Sequence, residues 1–266
     1  MSGPVHPEKV LVERRGHVLV VTINRPEVRN AVDGEVHMTI GRLLDDVEAD
    51  PDVRVVVVTG AGDKAFSAGA DLKANARGET VLPPGYEHWG FAGWVRHPIS
   101  KPTIAAVNGA AMGGGAELLL SCDLAVAAEH AVIGLPEVTI GMIAADGGPF
   151  RALAQLPQRI GMELVLTGDP ISAARALELH LVNRVVPGDE VLGAALQLAD
   201  RIARNAPLAV QASKRIALGL RNGERPAERL HWELTREHAH ATAGSADAKE
   251  GVRAFLEKRP PVWTGR

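Results

Sequence analysis

Residues 101–129 read KPTIAAVNGAAMGGGAELLLSCDLAVAAE, and the order of residue types in this stretch decides the fold. TIAAVNG (103–109) is a short apolar run with β-branched members, closed by Asn-Gly, and it reads as a strand. The glycine triplet 113–115 opens a run of Ala, Glu and Leu that suits a helix over 114–121. DLAVAA (123–128) and AVIGLPE (131–137) are two further short strands. Strand, glycine turn, helix and strand in close succession describe an α/β domain.

The same grammar extends toward the N-terminus. HVLVVTI (17–23) is a strand, followed by the turn-forming Asn24-Arg25-Pro26. From Asp33 onward, Val36, Ile40, Leu43, Leu44 and Val47 recur at helical spacing, with Asp33 a candidate N-cap and Pro51 beyond the end. VRVVVVTG (53–60) reads as a buried strand. Toward the C-terminus the pattern turns helical: Leu153, Leu156, Ile160, Leu164 and Leu166, then 173–181, with LVNRVVP (181–187) before the next helix. Amphipathic helices are expected at 188–204, at 209–221 and over 225–258, the last broken by TAGSADA (242–248). With no Ser/Gly linker, internal repeat or low-complexity tract, the division expected is a core over residues 1–200 and a helical C-terminal subdomain over 201–266.

Composition excludes several function classes. The 266 residues are 46% hydrophobic, enough for a real core, and the formal charge of -3 supplies no basic field for nucleic acid. No apolar stretch reaches the ~18 residues of a bilayer span, and residues 1–13 lack the apolar core of a secretory leader. A cytoplasmic protein is expected. The single cysteine, Cys122, cannot form an intramolecular disulfide and ends an apolar run, where a buried, inert thiol is ordinary.

Two glycine turns carry the candidate chemistry. AFSAGADLK (65–73) follows a strand and is rich in small residues, which leaves backbone N–H groups open to a ligand; an ordinary strand-to-helix turn would look the same. It lacks the Gly-Lys-Ser/Thr of a phosphate loop. At residues 108–117 the glycine triplet sits at a helix start, where free N–H groups and the positive dipole end suit a developing oxyanion; close helix packing is the plainer alternative. Glu117 lies in the first turn of a helix that continues Leu118-Leu119-Leu120, so its carboxylate must find polar partners, water or substrate. Glu137 ends a short apolar strand after Gly134-Leu135-Pro136. Two such carboxylates can divide general-acid and general-base roles, although each alone also suits a helix entry.

INRPEVRNA (23–31), FSAGADLK (66–73), the stretch 101–129, GLPEVTIGM (134–142), LTGDPISAARALELHLVNRVVP (166–187) and FLEKRPPVW (255–263) together resemble the crotonase, or enoyl-CoA hydratase, family, in order over nearly the whole chain. The resemblance implies an α/β crotonase-like (ClpP/crotonase) fold of repeated ββα units, a homotrimer or dimer of trimers completed by C-terminal helices, and an acyl-CoA thioester substrate with no separate cofactor. It places the oxyanion hole on the backbone N–H groups of Ala70 and Gly114, and the two hydratase carboxylates on Glu117 and Glu137. Glu117 is then the base that activates water and Glu137 the acid that protonates the α-carbon. CoA contacts fall on Ala68, Asp71, Leu72 and Lys73, with Phe255 and Lys258 reaching the nucleotide, often from a neighbouring subunit. Lys73 and Lys258 would equally serve as solvated surface charges.

The reaction expected is reversible addition of water across the 2,3 double bond of an enoyl-CoA. Other crotonase-type reactions at the same hole, Δ3-Δ2 isomerisation or thioester hydrolysis, and a catalytically idle acyl-CoA-binding chain are the competing readings. The stretches FSAGADLKANARGE (66–79), GFAGW (90–94) and FLEKRPPVWTGR (255–266) more narrowly resemble the crotonobetainyl-CoA hydratase (carnitinyl-CoA dehydratase) branch, although Ala70 stands where that branch can carry tryptophan.

The pattern departs from the family at IAADGGPFRA (143–152), which replaces a proline-glycine run followed by Gly-Gly-Thr-Gln-Arg-Leu. Here Asp146 is read as a helix N-cap before Gly147 or as a contact to a polar acyl group. Residues 74–97 hold Tyr86, Trp89, Phe91 and Trp94 with His88 and His97, which suggests an acyl-pocket lid, a subunit contact or packing against the chain's own domain. His231, His238 and His240 form no clear metal-ligand set, and no metal is expected.

Overall fold

The computed structural model describes residues 8–221 and 223–266; the reading of residues 1–13 therefore falls partly, at 1–7, outside the described residues. In chain order the elements are β1 (Val10–Arg15), β2 (Val18–Ile23), α1 (Gly34–Ala49), β3 (Val55–Gly60), β4 (Ala65–Ser67), α2 (Leu72–Ala76), β5 (Thr103–Val107), β6 (Ala110–Met112), α3 (Gly114–Ser121), β7 (Leu124–Ala128) and β8 (Val132–Gly134). They continue with α4 (Gly148–Gln155), α5 (Gln158–Thr167), β9 (Ile171–Ser172), α6 (Ala173–Glu178), β10 (Arg184–Val186), α7 (Val191–Ala203), α8 (Pro207–Leu218), α9 (Arg229–Ala243) and α10 (Ala246–Glu257).

Two sheets share these strands. The larger runs in the order β1-β2-β3-β5-β7-β10 and the smaller β4-β6-β8-β9. From β3 to β8 the chain alternates strictly between them, one strand in the large sheet and the next in the small. Each of the first two such pairs is followed by a helix, α2 and then α3. This is the ββα repeat expected. Parallel pairing dominates the large sheet, as in Val18 opposite Val55 and Ile104 opposite Leu124, and β1 alone pairs antiparallel, on β2.

Parallel strands covered on both faces read as continuous apolar runs. β3 is buried at all six positions and β5 at all five. Each Val or Ile so buried contributes roughly 1.5–3 kcal/mol from leaving water. α1 buries the face its spacing required: Val36, Ile40, Leu44 and Val47 are buried, and the Asp33 carboxylate accepts a hydrogen bond from the Val36 N–H at 3.0 Å as N-cap. β1, β4, β6, β9 and β10 were not anticipated as strands. β1 exposes five of its six residues, so no apolar alternation marks it, and β9 is two residues long.

The helical C-terminal region is present as three helices, α8 to α10, but the boundary at residue 200 falls inside α7. That helix packs on β2, β3, β5 and β7 through buried Ala195, Ala199 and Ala203 and belongs to the core. α10 returns to pack against the short 3-10 helix Pro136–Ile140, which carries Glu137. Among the described residues no helix is long and apolar enough to cross a membrane.

Candidate active site

The site begins where β4 and β6, neighbours in the small sheet, end side by side. After β4 the chain turns through Gly69, φ +89°, and a Cβ there would stand 3.0 Å from the Gly114 nitrogen and 3.1 Å from the Met112 carbonyl oxygen. Only glycine permits both the backbone angle and this approach. The turn brings the Ala70 N–H to the start of α3. Among the described residues neither the Ala70 N–H nor the Gly114 N–H has an acceptor, and Gly114 is the first residue of α3, where such groups are expected to be free.

Buried polar side chains brace the first turn. The Asn30 amide donates to the Ala61 and Ala65 carbonyls at 2.9 and 2.7 Å, and the Asn108 amide donates to Gly62 and Ala65 at 2.7 and 3.2 Å. Ser67 Oγ donates to the Asn30 carbonyl at 2.9 Å and accepts from the Gly69 N–H at 3.2 Å. These bonds satisfy turn backbone that would otherwise be buried without partners.

Two carboxylates approach the same helix start. Glu117 lies one turn into α3, only 3% exposed. Its Oε1 accepts from the Asp146 N–H at 2.7 Å and the Gly148 N–H at 2.9 Å, while its other oxygen has no hydrogen bond among the described residues. Glu137, on the 3-10 helix after β8, lies over Gly113: a Cβ on Gly113, φ +56°, would meet Glu137 Oε1 at 2.7 Å. Glu137 Oε2 is buried with no partner among the described residues. The donors and both carboxylates therefore gather around residues 113 and 114.

Burial dominates their protonation. It pushes Glu137 up to about 7, with a further contribution from the charge of Asp146. Burial, then the charges of Asp146 and Glu137, push Glu117 well above the usual carboxylate range, against two N–H bonds that favour its ionised form. The hydrogen bonds separate the roles that burial alone does not. Oε1 of Glu117 is held as an acceptor, whereas the unpartnered Oε2 of Glu137 suits a proton.

The remaining expected residues are distributed unevenly. Ala68 and Lys73 are exposed, and Ala70 and Leu72 half-buried. Asp71 lies in the same turn, yet its side chain faces inward: it accepts from the Lys73 and Ala74 N–H groups at 3.1 and 3.0 Å and pairs with Arg25 at 2.9 Å. Its N–H donates to Val32. Asp71 thus caps α2, and neither its carboxylate nor its N–H is free for a nucleotide. Phe255 is 57% exposed and Lys258 caps the end of α10 in solvent; among the described residues no hydrogen bond joins them to the Ala68 to Lys73 turn.

Asp146 is not an N-cap. Gly147 occupies that position without a side-chain bond, and Asp146 Oδ1 instead accepts from the Phe91 N–H at 2.9 Å, across the site. The backbone donors of residues 146 and 148 were missed by the sequence reading; the only signal was a Gly-Gly pair ahead of Pro149. Of the aromatic segment, Trp89, Phe91 and Trp94 are buried against the chain's own domain, and the Phe91 ring lies within 2.8 Å of where a Cβ on Gly114 would be. His97 is buried and its Nε2 lies 3.1 Å from the Gly41 carbonyl. His231, His238 and His240 are exposed on α9, His231 stacking on Phe150. Among the described residues no group of three His, Cys, Asp or Glu could hold a metal ion. Cys122 is half-buried, donates to the Leu118 carbonyl at 3.4 Å, and has its thiol pushed up to about 12 by burial and then by Asp123, so it is unreactive.

Comparison with known proteins shows the family. The family model described as enoyl-CoA hydratase/isomerase matches residues 13–266. A carnitinyl-CoA dehydratase of Salmonella paratyphi A is 41% identical over 97% of this chain and 99% of its own. The carnitinyl-CoA hydratase of Mycobacterium avium superimposes with a TM-score of 0.96 at 54% identity, covering 98% of this chain and 100% of the other. An enoyl-CoA hydratase of Mycobacterium tuberculosis gives 0.75 at 42% identity, over 97% and 99%.

Proposed function

We propose that this chain, which belongs to the enoyl-CoA hydratase/isomerase family, performs its chemistry with Ala70 and Gly114 as oxyanion donors and Glu117 and Glu137 as base and acid. The enzyme is a hydro-lyase: it adds water reversibly across the 2,3 double bond of an enoyl-CoA thioester. The observation that carries the site assignment is the convergence at Gly113 and Gly114, where two backbone N–H groups with no acceptor among the described residues stand beside the buried carboxylate of Glu117 and the half-buried Glu137.

The mechanism follows from what these groups can do. The Ala70 and Gly114 N–H groups bind the thioester carbonyl oxygen and strengthen their hold as it gains enolate charge; losing one such donor costs roughly 3 kcal/mol. Polarisation makes C3 electrophilic. Glu117, oriented by the Asp146 and Gly148 N–H groups, takes a proton from water through its free oxygen as the water oxygen bonds to C3. Glu137 delivers its proton to C2, and the roles reverse in dehydration. Each turnover leaves Glu117 protonated and Glu137 ionised, and solvent exchange resets the pair.

CoA is proposed to lie along the Ala68 to Lys73 turn, with Ala68, Leu72 and Lys73 as contacts and no cofactor besides the CoA of the substrate. A homotrimer or dimer of trimers is proposed as well, supported by the apolar side chains that α8 and α9 leave in solvent: Leu208, Ile216 and Leu230 are 79%, 81% and 62% exposed. The chain is proposed to work in the cytoplasm, where an unpaired cysteine stays reduced. The names of the relatives favour crotonobetainyl-CoA, the unsaturated partner of carnitinyl-CoA, as the acyl substrate.

The test is a panel of 2-enoyl-CoA thioesters of graded length with crotonobetainyl-CoA among them, followed by loss of the conjugated double bond. Turnover of at least one member is expected. CoA binding without turnover of any would contradict the reading and favour an idle acyl-CoA-binding chain.

A further inference from the structure

We propose that Asp146 is a positioning residue that joins the two halves of the site, its N–H fixing the Glu117 carboxylate while its own carboxylate fixes the Phe91 segment that covers Gly114. The inference rests on the reading of Glu117 and Glu137 as the acid–base pair, and it adds a residue that neither donates to the thioester nor exchanges a proton with it.

The observations come from both ends of one side chain. Asp146 N–H donates to Glu117 Oε1 at 2.7 Å, shorter than the 2.9 Å bond from Gly148. Four bonds out along the same residue, Oδ1 accepts from the Phe91 N–H at 2.9 Å. The Phe91 ring lies against Gly114: three of its carbons fall 2.7–2.8 Å from where a Cβ on that glycine would stand. A shift of Asp146 therefore moves the general base on one side and the wall over an oxyanion donor on the other.

The Phe91 segment needs such an anchor. Ala92, directly after Phe91, holds φ +59° and ψ +15°, a left-handed conformation that is strained for a non-glycine residue and persists only when its surroundings impose it. From behind, His37 Nδ1 accepts from the Gly93 N–H at 3.1 Å, and Arg151 donates to the Val95 carbonyl at 3.0 Å. On the side of the site, the bond to Asp146 is the one that holds Phe91. Several charged groups face the Asp146 carboxylate: Glu117 from α3, Glu137 from the 3-10 helix, Arg151 from α4, and Arg96 from the segment after Phe91. Burial raises Asp146 above the usual carboxylate range, against the Phe91 N–H and the two guanidinium groups that favour its ionised form, and its negative charge in turn raises both glutamates.

Two variants separate positioning from fold. Asp146→Asn keeps the backbone N–H and an acceptor for Phe91 but removes the charge, so the pH profile of kcat/KM for hydration should move to lower pH on both limbs, with the maximal rate within a fewfold of the parent. Asp146→Ala loses the acceptor as well and should lower kcat by about tenfold or more, with KM much less affected. A side chain that only supports the fold would change Tm and leave the profile in place. The inference is overturned if the Asn variant titrates like the parent, or if the Ala variant turns over at the parent rate. Should the Ala variant fail to fold, the Asn profile decides alone. Glu117→Gln, assayed beside them, tells the two failures apart. At the parent rate it removes the acid–base reading and this inference together. Inactive, beside Asp146 variants that behave as the parent, it removes this inference alone.

Discussion

Glu137 shows how one position couples catalysis to stability. In the unfolded chain a glutamate titrates near its ordinary value of 4.5, and in the folded chain burial raises Glu137 to about 7. Between those values the folded state holds a proton that the unfolded state has lost, so the stabilising contribution is complete below the lower value and disappears as pH rises through the upper one. The swing is on the order of 3 kcal/mol. Glu137→Gln cannot ionise, and its Tm should exceed that of the parent by several degrees near pH 8, the gap closing toward pH 5. Thermal melts across this range check it; a gap independent of pH would mean that Glu137 is not held protonated by the fold. Residue scale is also where the sequence was most legible for chemistry. Glu117 and Glu137 stood out because one carboxylate opens an apolar run and the other ends one, and the structure brings both to one helix start. Asp71 was misread because its place in the turn does not reveal the direction of its side chain, which turns back to cap α2.

Among elements, the meeting of the β4 turn with the start of α3 matters most. Gly69 and Gly114 come into contact because β4 and β6 are parallel neighbours, which places successive strand ends at one edge of the small sheet. Gly69→Ala would put a methyl group 3.0 Å from the Gly114 nitrogen and force a left-handed conformation on alanine. The expected result is a stability loss on the order of 1–2 kcal/mol and a fall in kcat of about tenfold or more, as the Ala70 and Gly114 N–H groups separate. A melt and a rate for this single variant suffice, and an unchanged kcat would place the oxyanion donors elsewhere. Apolar patterning made α1, β3, β5 and α3 legible: α1 buries one face, β3 and β5 are continuous apolar runs covered on both faces, and α3 is an apolar helix buried from Gly114 to Leu120. β9, at two residues, and β1, with one buried side chain, had no pattern to read, because their pairing is set by the neighbouring strand.

At the scale of the whole molecule, the ββα repeat is a property of the backbone path. Strands of three to six residues alternate between two sheets, and their apolar side chains meet different surroundings in each copy, so no repeated sequence results. The same alternation stacks the ends of β4, β6 and β8 together, which is why residues 69, 113 and 137, far apart in the chain, form one site. α10, folding back onto the helix of Glu137, makes the C-terminal region part of the wall behind that site.

If Glu117 and Glu137 act as a unit on one water, as proposed, a double-variant cycle shows it. kcat for hydration of the best enoyl-CoA substrate would be measured for the parent, Glu117→Gln, Glu137→Gln and the double variant, with CoA thioester binding as a check on folding. Each single variant is expected to lose roughly 10³-fold in kcat with binding retained, and the double variant little more than the weaker single, since partners in one proton transfer do not add. Parent-like turnover by either single variant would remove that glutamate from the proton transfer.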